Sequence, residues 1–315
     1  MSVVFDSLLR PAINAAADSH AIKSFSQHNS LTSKVVDRFV AGSDRATLLP
    51  VLTRELAGGL SVTVDYLGED TVDEQAAADT VREYLALITA MSEVGATGIG
   101  RLEVSLKLTA VGLALPEHGR KIATEHARTI CAAAHHAGVL VTLDAEGSGT
   151  VDDRLDILRE LQSDYPDVGT VLQAYLRRTE EDCRTLIDAR VRLCKGAYAE
   201  PVSVAFSKSA SVDNSYQRCL RILMRGNGYP MIATHDPMMI AAARALAKEA
   251  GRSSASWEYQ MLYGIRADEQ RRLVESGSRV RVYLPYGQEW YGYFLRRLSE
   301  RPANLTFFAR SLVRR

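Results

Sequence analysis

The chain has 315 residues, 46% hydrophobic and 24% charged, a profile that can pack a core and excludes a disordered chain. Its 38 basic and 38 acidic residues cancel, which argues against a nucleic-acid binder, since that class carries a basic excess. Cys131, Cys183, Cys194 and Cys219 stand far apart with no C-x-x-C pair, so neither a disulfide framework nor a metal site is expected, and a reducing compartment is.

The first residues show no basic start followed by an apolar run, so no secretory signal is expected. No continuous apolar stretch of about 18 residues occurs either. The expected setting is cytoplasmic, with peripheral contact at the inner face of a membrane left open.

Residues 1–59 read as a helical N-terminal extension packed on the remainder of the chain. Within them "DRATLLPVLTRELAGG" ends on a glycine pair that resembles a helix C-cap. From residue 60 onward, β-branched runs recur: "SVTVDYL", "LEVSLKL", "GVLVTLDA", "GTVLQAYL", "VRLCKG", "PMIATHD", "WEYQMLYG" and "RVRVYLPYG". Between them lie helical stretches such as "VDEQAAADTVREYLALITAM", "HGRKIATEHARTICAAAHHAG" and "DPMMIAAARALAKEAG". A further helix, "EWYGYFLRRLSER", comes after the last strand.

Strands that alternate with helices imply parallel βαβ units, and eight of them predict a closed (β/α)8 barrel over residues 60–315. The open doubly wound alternative is weakened because no G-x-G-x-x-G comes after the first strand. The expected class is therefore α/β, a distorted TIM-type barrel.

Barrel enzymes draw their reactive groups from the C-terminal ends of strands. Here those ends carry Lys107, Asp144, Gln173, Arg192 with Lys195, His235 and Tyr283. Each alone is unremarkable as a loop ion pair or a helix cap; together at one mouth they need anionic and cationic partners. In the last helix Tyr293, Arg296, Arg297 and Glu300 are spaced i, i+3, i+4, i+7 and share a face. The two arginines can fork around a small carboxylate, with Lys107 beside them. Arg192 and Lys195 suit a larger, electron-rich cofactor. No catalytic Ser-His-Asp order, metal triad or P-loop occurs, which favours chemistry carried by an organic cofactor.

In this order and spacing, "SLKLTAVG", "DAE", "QAYL", "RLCKGAY", "ATHD", "EYQMLYG", "YLPYG" and "YFLRRLSE" resemble the proline dehydrogenase family, in its monofunctional form. The resemblance implies a barrel that holds FAD, with the last helix over the mouth. It implies hydride transfer from C5 of L-proline to flavin N5, giving 1-pyrroline-5-carboxylate, the first step of proline degradation to glutamate. A membrane quinone would take the electrons, and a separate pyrroline-5-carboxylate dehydrogenase would take the product. By position, Asp144 and Arg192 would be the catalytic pair. Lys107, Arg296 and Arg297 would bind the carboxylate, with Glu300 orienting the arginines. Tyr283 and Tyr293 would wall the proline ring, and Leu193 and Tyr198 would shape the pocket. Ala145, Gln173, Arg192, Lys195, Gly196, Ala197, Thr234 and His235 would hold the FAD, with Gly196 letting the backbone approach it.

Three departures from the family's usual pattern concern the flavin surroundings: "GSG" after "DAE", "THD" in place of "THN", and Cys194 at an aliphatic position. A rival use of Lys107, as the Schiff-base nucleophile of an aldolase, predicts a colourless protein inactivated by borohydride with its carbonyl substrate. A barrel that only binds proline or FAD as a sensor is the second rival.

Overall fold

The computed structural model describes residues 38–95 and 100–293 of the chain. Helix α1 (Arg45–Ala57) leads into eight strands: β1 (Ser61–Tyr66), β2 (Leu102–Leu106), β3 (Leu140–Leu143), β4 (Gly169–Gln173), β5 (Arg190–Cys194), β6 (Tyr229–Ala233), β7 (Glu258–Leu262) and β8 (Val280–Tyr286). Between successive strands lie α2 (Glu74–Glu93), α3 (Gly119–His136), α4 (Val151–Gln162), α5 (Thr179–Thr185), α6 (Ser209–Arg225), α7 (Pro237–Glu249) and α8 (Ala267–Glu275). All neighbouring strands pair in parallel, and β1 pairs with β8 from Ser61↔Arg281 to Tyr66↔Tyr286, which closes the barrel. The expected eight strands and the expected α/β barrel are both present.

Alternation along each strand decides the inside from the outside. Val62, Val64, Val104, Leu106, Leu193, Ile232, Tyr259, Met261, Val282 and Leu284 belong to the apolar core between sheet and helices. The residues between them face the lumen, and many are charged. A TIM-type lumen is ordinarily filled by branched apolar side chains. Here Glu103, fully buried, accepts hydrogen bonds from Thr63 (2.6 Å), Arg190 (2.7 Å) and Arg192 (2.7 Å). Burial alone would raise its pKa, but Arg281, Arg190 and Arg192 outweigh that and hold the carboxyl below the ordinary range. Glu258 accepts from Arg281 (2.6 Å) and from Gln260 (2.7 Å).

Helix α1 begins with Asp44, whose side chain accepts from the Thr47 amide while the Thr47 hydroxyl meets the Asp44 amide. Leu48, Leu52 and Leu56 form its buried stripe, and the helix packs on β1 and β8. The glycine pair terminates it as expected. Gly59, at φ +84°, lets its own amide reach Leu56 O and that of Leu60 reach Glu55 O. Ala41 N–H also donates to Pro285 O at 2.8 Å, tying the segment before α1 to the mouth end of β8. So α1 shares one core with the barrel and fills the outer slot between its first and last strands. After β8, Trp290–Tyr293 start a helix. The expected course of the last helix over the mouth concerns residues outside the described ones; residues 1–37 lie outside them too.

Candidate active site

Lumen-facing side chains at the mouth come from four different strand ends. Lys107 lies just past β2, Asp144 just past β3, Arg192 is in β5 and Tyr283 is in β8. The structure brings all four together, and adds Asp65 of β1. Lys107 Nζ donates to both oxygens of Asp65, at 2.6 and 2.7 Å, and stands 3.8 Å from Asp144 Oδ2. Arg192 Nη1 is 3.8 Å from Asp144 Oδ1. The Tyr283 hydroxyl donates to Asp144 Oδ2 at 2.9 Å, and the Arg192 guanidinium lies 5.3 Å from the Tyr283 ring centre.

The charges of this cluster are fixed by one another. Burial would raise Asp144, but Lys107, Arg192 and the Tyr283 hydroxyl outweigh it and hold the carboxyl below its usual range. Asp65, 1% exposed, goes the other way: burial pushes it up, and the Lys107 charge only partly offsets this. Burial would lower Lys107, yet Asp65 and Asp144 keep it above the ordinary lysine range. An ammonium held that firmly is a poor amine nucleophile, which counts against the Schiff-base use of Lys107.

Arg192 reaches deeper than a mouth residue. Besides Glu103, it donates to Gln260 Oε1 (2.5 Å) and Ser105 Oγ (3.0 Å). Lys195, three residues on, leaves the lumen and meets Asp213 of α6 (2.6 Å) and Asp236 before α7 (2.9 Å). The two cations of "RLCKGAY" therefore each have protein carboxylates as partners. Strand alternation places one inside and one at the rim.

Other expected site residues are spread around the rim. Gln173, at the end of β4, is buried and its Oε1 has no hydrogen-bond partner among the described residues. The Ala145 amide donates to Asp144 Oδ1 at 3.0 Å. Thr234 Oγ1 accepts from the Asp236 amide (3.1 Å), and His235 Nε2 accepts from the Leu262 amide (2.9 Å). The Tyr198 hydroxyl donates to Glu69 Oε2 at 3.1 Å. Ala197 is half-buried in the same loop and Tyr293 is buried. Arg296, Arg297 and Glu300 lie outside the described residues.

Two expected site residues have apolar or aromatic surroundings. Leu193 faces outward with Val191 and lies in the apolar layer under the helices, as alternation from Arg192 requires. Gly196, at φ +105°, faces the Tyr175 ring, which an added Cβ would approach to 2.1 Å. Its missing side chain makes room for that ring.

Asp65, Glu103, Ser105, Gln260 and Asp236 were missed by the motif reading. The usable signal was period two: counting back from Lys107 gives Ser105 and Glu103, and Thr63 with Asp65 breaks the valine alternation of β1. Glu146, within "DAE", is buried and accepts from the Thr109 hydroxyl and, at 3.3 Å, from its amide. Burial pushes it up to about 7.

The donor set fits a flavin. An unpartnered buried acceptor at Gln173 Oε1, a lumenal cation at Arg192 and polar strand ends on β3 and β6 suit a polar, planar ring with both donors and acceptors at its edge. Among the described residues, no helix is long and apolar enough to cross a membrane.

A family model described as proline dehydrogenase matches residues 51–310. Proline dehydrogenase 1 of Bacillus subtilis (strain 168) is 38% identical over 280 residues, which cover 88% of this chain and 90% of that protein. Proline dehydrogenase of Deinococcus radiodurans is 34% identical over 315 residues, covering 99% of this chain and all of its own, 100%. Among solved structures, proline utilization A (PutA) from Bdellovibrio bacteriovorus, inactivated by N-propargylglycine, aligns with a TM-score of 0.79 at 27% identity. That alignment covers 85% of this chain but 32% of the other, so the likeness spans about a third of that longer protein. With the family model matched over most of its length and relatives aligned nearly end to end, this chain belongs to the proline dehydrogenase family.

Proposed function

We propose that this protein oxidises L-proline to 1-pyrroline-5-carboxylate with FAD as cofactor and a quinone as the final electron acceptor. The observation that carries the reading is the cluster of Lys107, Asp144, Arg192 and Tyr283 at the C-terminal mouth of a closed barrel. It supports the activity that family membership points to.

Lys107 offers a fixed cation for the substrate carboxylate, with Arg296 and Arg297 proposed as its partners. Tyr283 presents a ring face beside it, against which a pyrrolidine ring can lie. Asp144 stays anionic at neutral pH, since its neighbours hold it below the usual carboxylate range. Loss of hydride from C5 develops positive charge across the C–N bond of the substrate, and a fixed anion there lowers its energy. Bound FAD would supply the hydride acceptor, at N5 of its ring. Arg192 is a permanent cation already oriented by Glu103, Ser105 and Gln260, suited to a place where negative charge accumulates. Gln173, Ala145, Lys195, Ala197, Thr234 and His235 are the residues proposed to hold the cofactor. Gly196 would act through the loop it shapes with Tyr175.

An anaerobic absorbance spectrum before and after addition of L-proline tests this reading. Flavin absorbance that bleaches with proline supports cofactor, substrate and reaction class together. Flavin absorbance that persists removes proline as the substrate. A protein that stays colourless after reconstitution with FAD removes the cofactor. Reoxidation of the bleached enzyme by a short-chain quinone faster than by dioxygen supports the proposed acceptor. Its failure would leave the oxidation intact and remove the quinone and the membrane contact it implies.

A further inference from the structure

Helix α7 is flanked by two clefts on the outside of the barrel. One, of about 250 Å³, lies beside the N-terminal ends of β7 and β8, the end opposite the mouth; its lining includes Arg244, Lys248, Arg252, Trp257, Tyr259 and Arg279. The other, about 560 Å³, runs between α7 and α8. It shares Arg244 and Lys248, and adds Arg266 and Arg272 against the carboxylate of Glu269.

The smaller cleft is the more one-sided. Four cations line it and no carboxylate does, in a chain whose formal charge is +0. Among the described residues Arg244, Lys248 and Arg279 have no carboxylate within ion-pair distance, whereas the exposed arginines around them do: Arg225 with Glu249, Arg271 with Asp268, Arg272 with Glu269. Arg252 has a separate task, donating to Met224 O (2.8 Å) and Gly226 O (2.6 Å) at the end of α6. The C-terminal end of α7 offers Lys248 roughly half a negative charge, too little to balance the rest. Like charges gathered around one concavity are relieved by an anion that enters it, and arginine forks match phosphate oxygens.

The back wall is different in kind. Trp257 and Tyr259 are buried and meet edge to face with ring centres 4.7 Å apart. A cationic rim over an aromatic wall suits an anion that carries a short organic body. We propose that this cleft binds a small phosphate monoester, at a site separate from the mouth. The same phosphate chemistry could come from a lipid headgroup, which the test separates.

The experiment uses the flavin-loaded enzyme in chloride buffer at fixed ionic strength. Calorimetric titration with inorganic phosphate and with glycerol 3-phosphate should give saturable binding, tighter for the ester. The Arg244→Gln/Arg279→Gln variant should weaken it at least tenfold and Lys248→Gln several-fold, with flavin content and proline KM unchanged. Both variants alter exposed side chains, so their melting temperatures serve as the folding control. No saturable binding, or binding that these substitutions leave intact, overturns the proposal. Sedimentation with phosphatidylglycerol vesicles that the variants abolish, without binding of either soluble probe, also overturns it and assigns the cleft to a lipid headgroup.

Discussion

Lys107 Nζ lies 2.6 Å from Asp65 Oδ1 and 3.8 Å from Asp144 Oδ2, so one buried ammonium links the ends of β1 and β3 across β2. Lys107→Met would leave two buried carboxylates facing each other with no cation between them. We expect a loss of about 3–5 kcal/mol of stability by urea unfolding. Adding Asp65→Asn should restore most of that stability while the proline KM stays raised. If KM recovers together with stability, Lys107 serves the fold alone.

Arg192→Met separates a role in flavin reduction from a role in the fold. Slower flavin reduction is expected from the first. The structure adds a cost, because Gln260 Oε1 and Ser105 Oγ each lose a buried donor. Glu103 keeps Arg190 at 2.7 Å, so the loss should be about 1–3 kcal/mol and the barrel should still form. Proline-dependent bleaching in stopped flow should slow by orders of magnitude more than the melting temperature accounts for.

Tyr283→Phe removes the hydroxyl that donates to Asp144 at 2.9 Å. Asp144 has a depressed folded pKa, so its stabilising contribution is present above its unfolded value and is lost as pH falls through the folded one. Without the hydroxyl that folded value rises. The acid limb of kcat/KM should move to higher pH in the variant, and an unmoved limb would detach Asp144 from it.

Glu146 works in the opposite sense. Its carboxyl is pushed from 4.5 up to about 7, so between those values the folded chain keeps a proton that the unfolded chain has released. Stability therefore falls as pH rises through that window and levels off above it. Glu146→Gln should remove this slope, which unfolding curves at about pH 5 and about pH 7.5 would show. Equal slopes in wild type and variant would mean that Glu146 is ionised in the fold.

Gly196→Ala places a Cβ 2.1 Å from the Tyr175 ring at a φ of +105°. We expect a marked loss of stability and weaker flavin retention after gel filtration. Tyr175→Leu should relieve the contact but not the backbone strain, so the double variant should recover in part. Full recovery would show that the ring contact alone matters.

The β-branched runs located all eight strands within a few residues, because a strand buried on its outer face must present branched side chains to the helices. The same runs concealed the polar lumen. In "SVTVDYL" the valines draw notice, while Thr63 and Asp65 between them line the inside of the barrel. Leu193 shows a related limit, because a motif ignores strand alternation, which sends its side chain outward from Arg192.

The sequence by itself determined the barrel, its strand ends and the polar groups those ends carry, since period and residue type are local properties of a chain. Which cation meets which carboxylate was decided only by the tertiary structure. Lys107 binds Asp65, 42 residues away in sequence, and Arg192 binds Glu103, 89 away. The first pair forms when β1 pairs with β2, and the second when the closed barrel confines β2 and β5 to one shared interior.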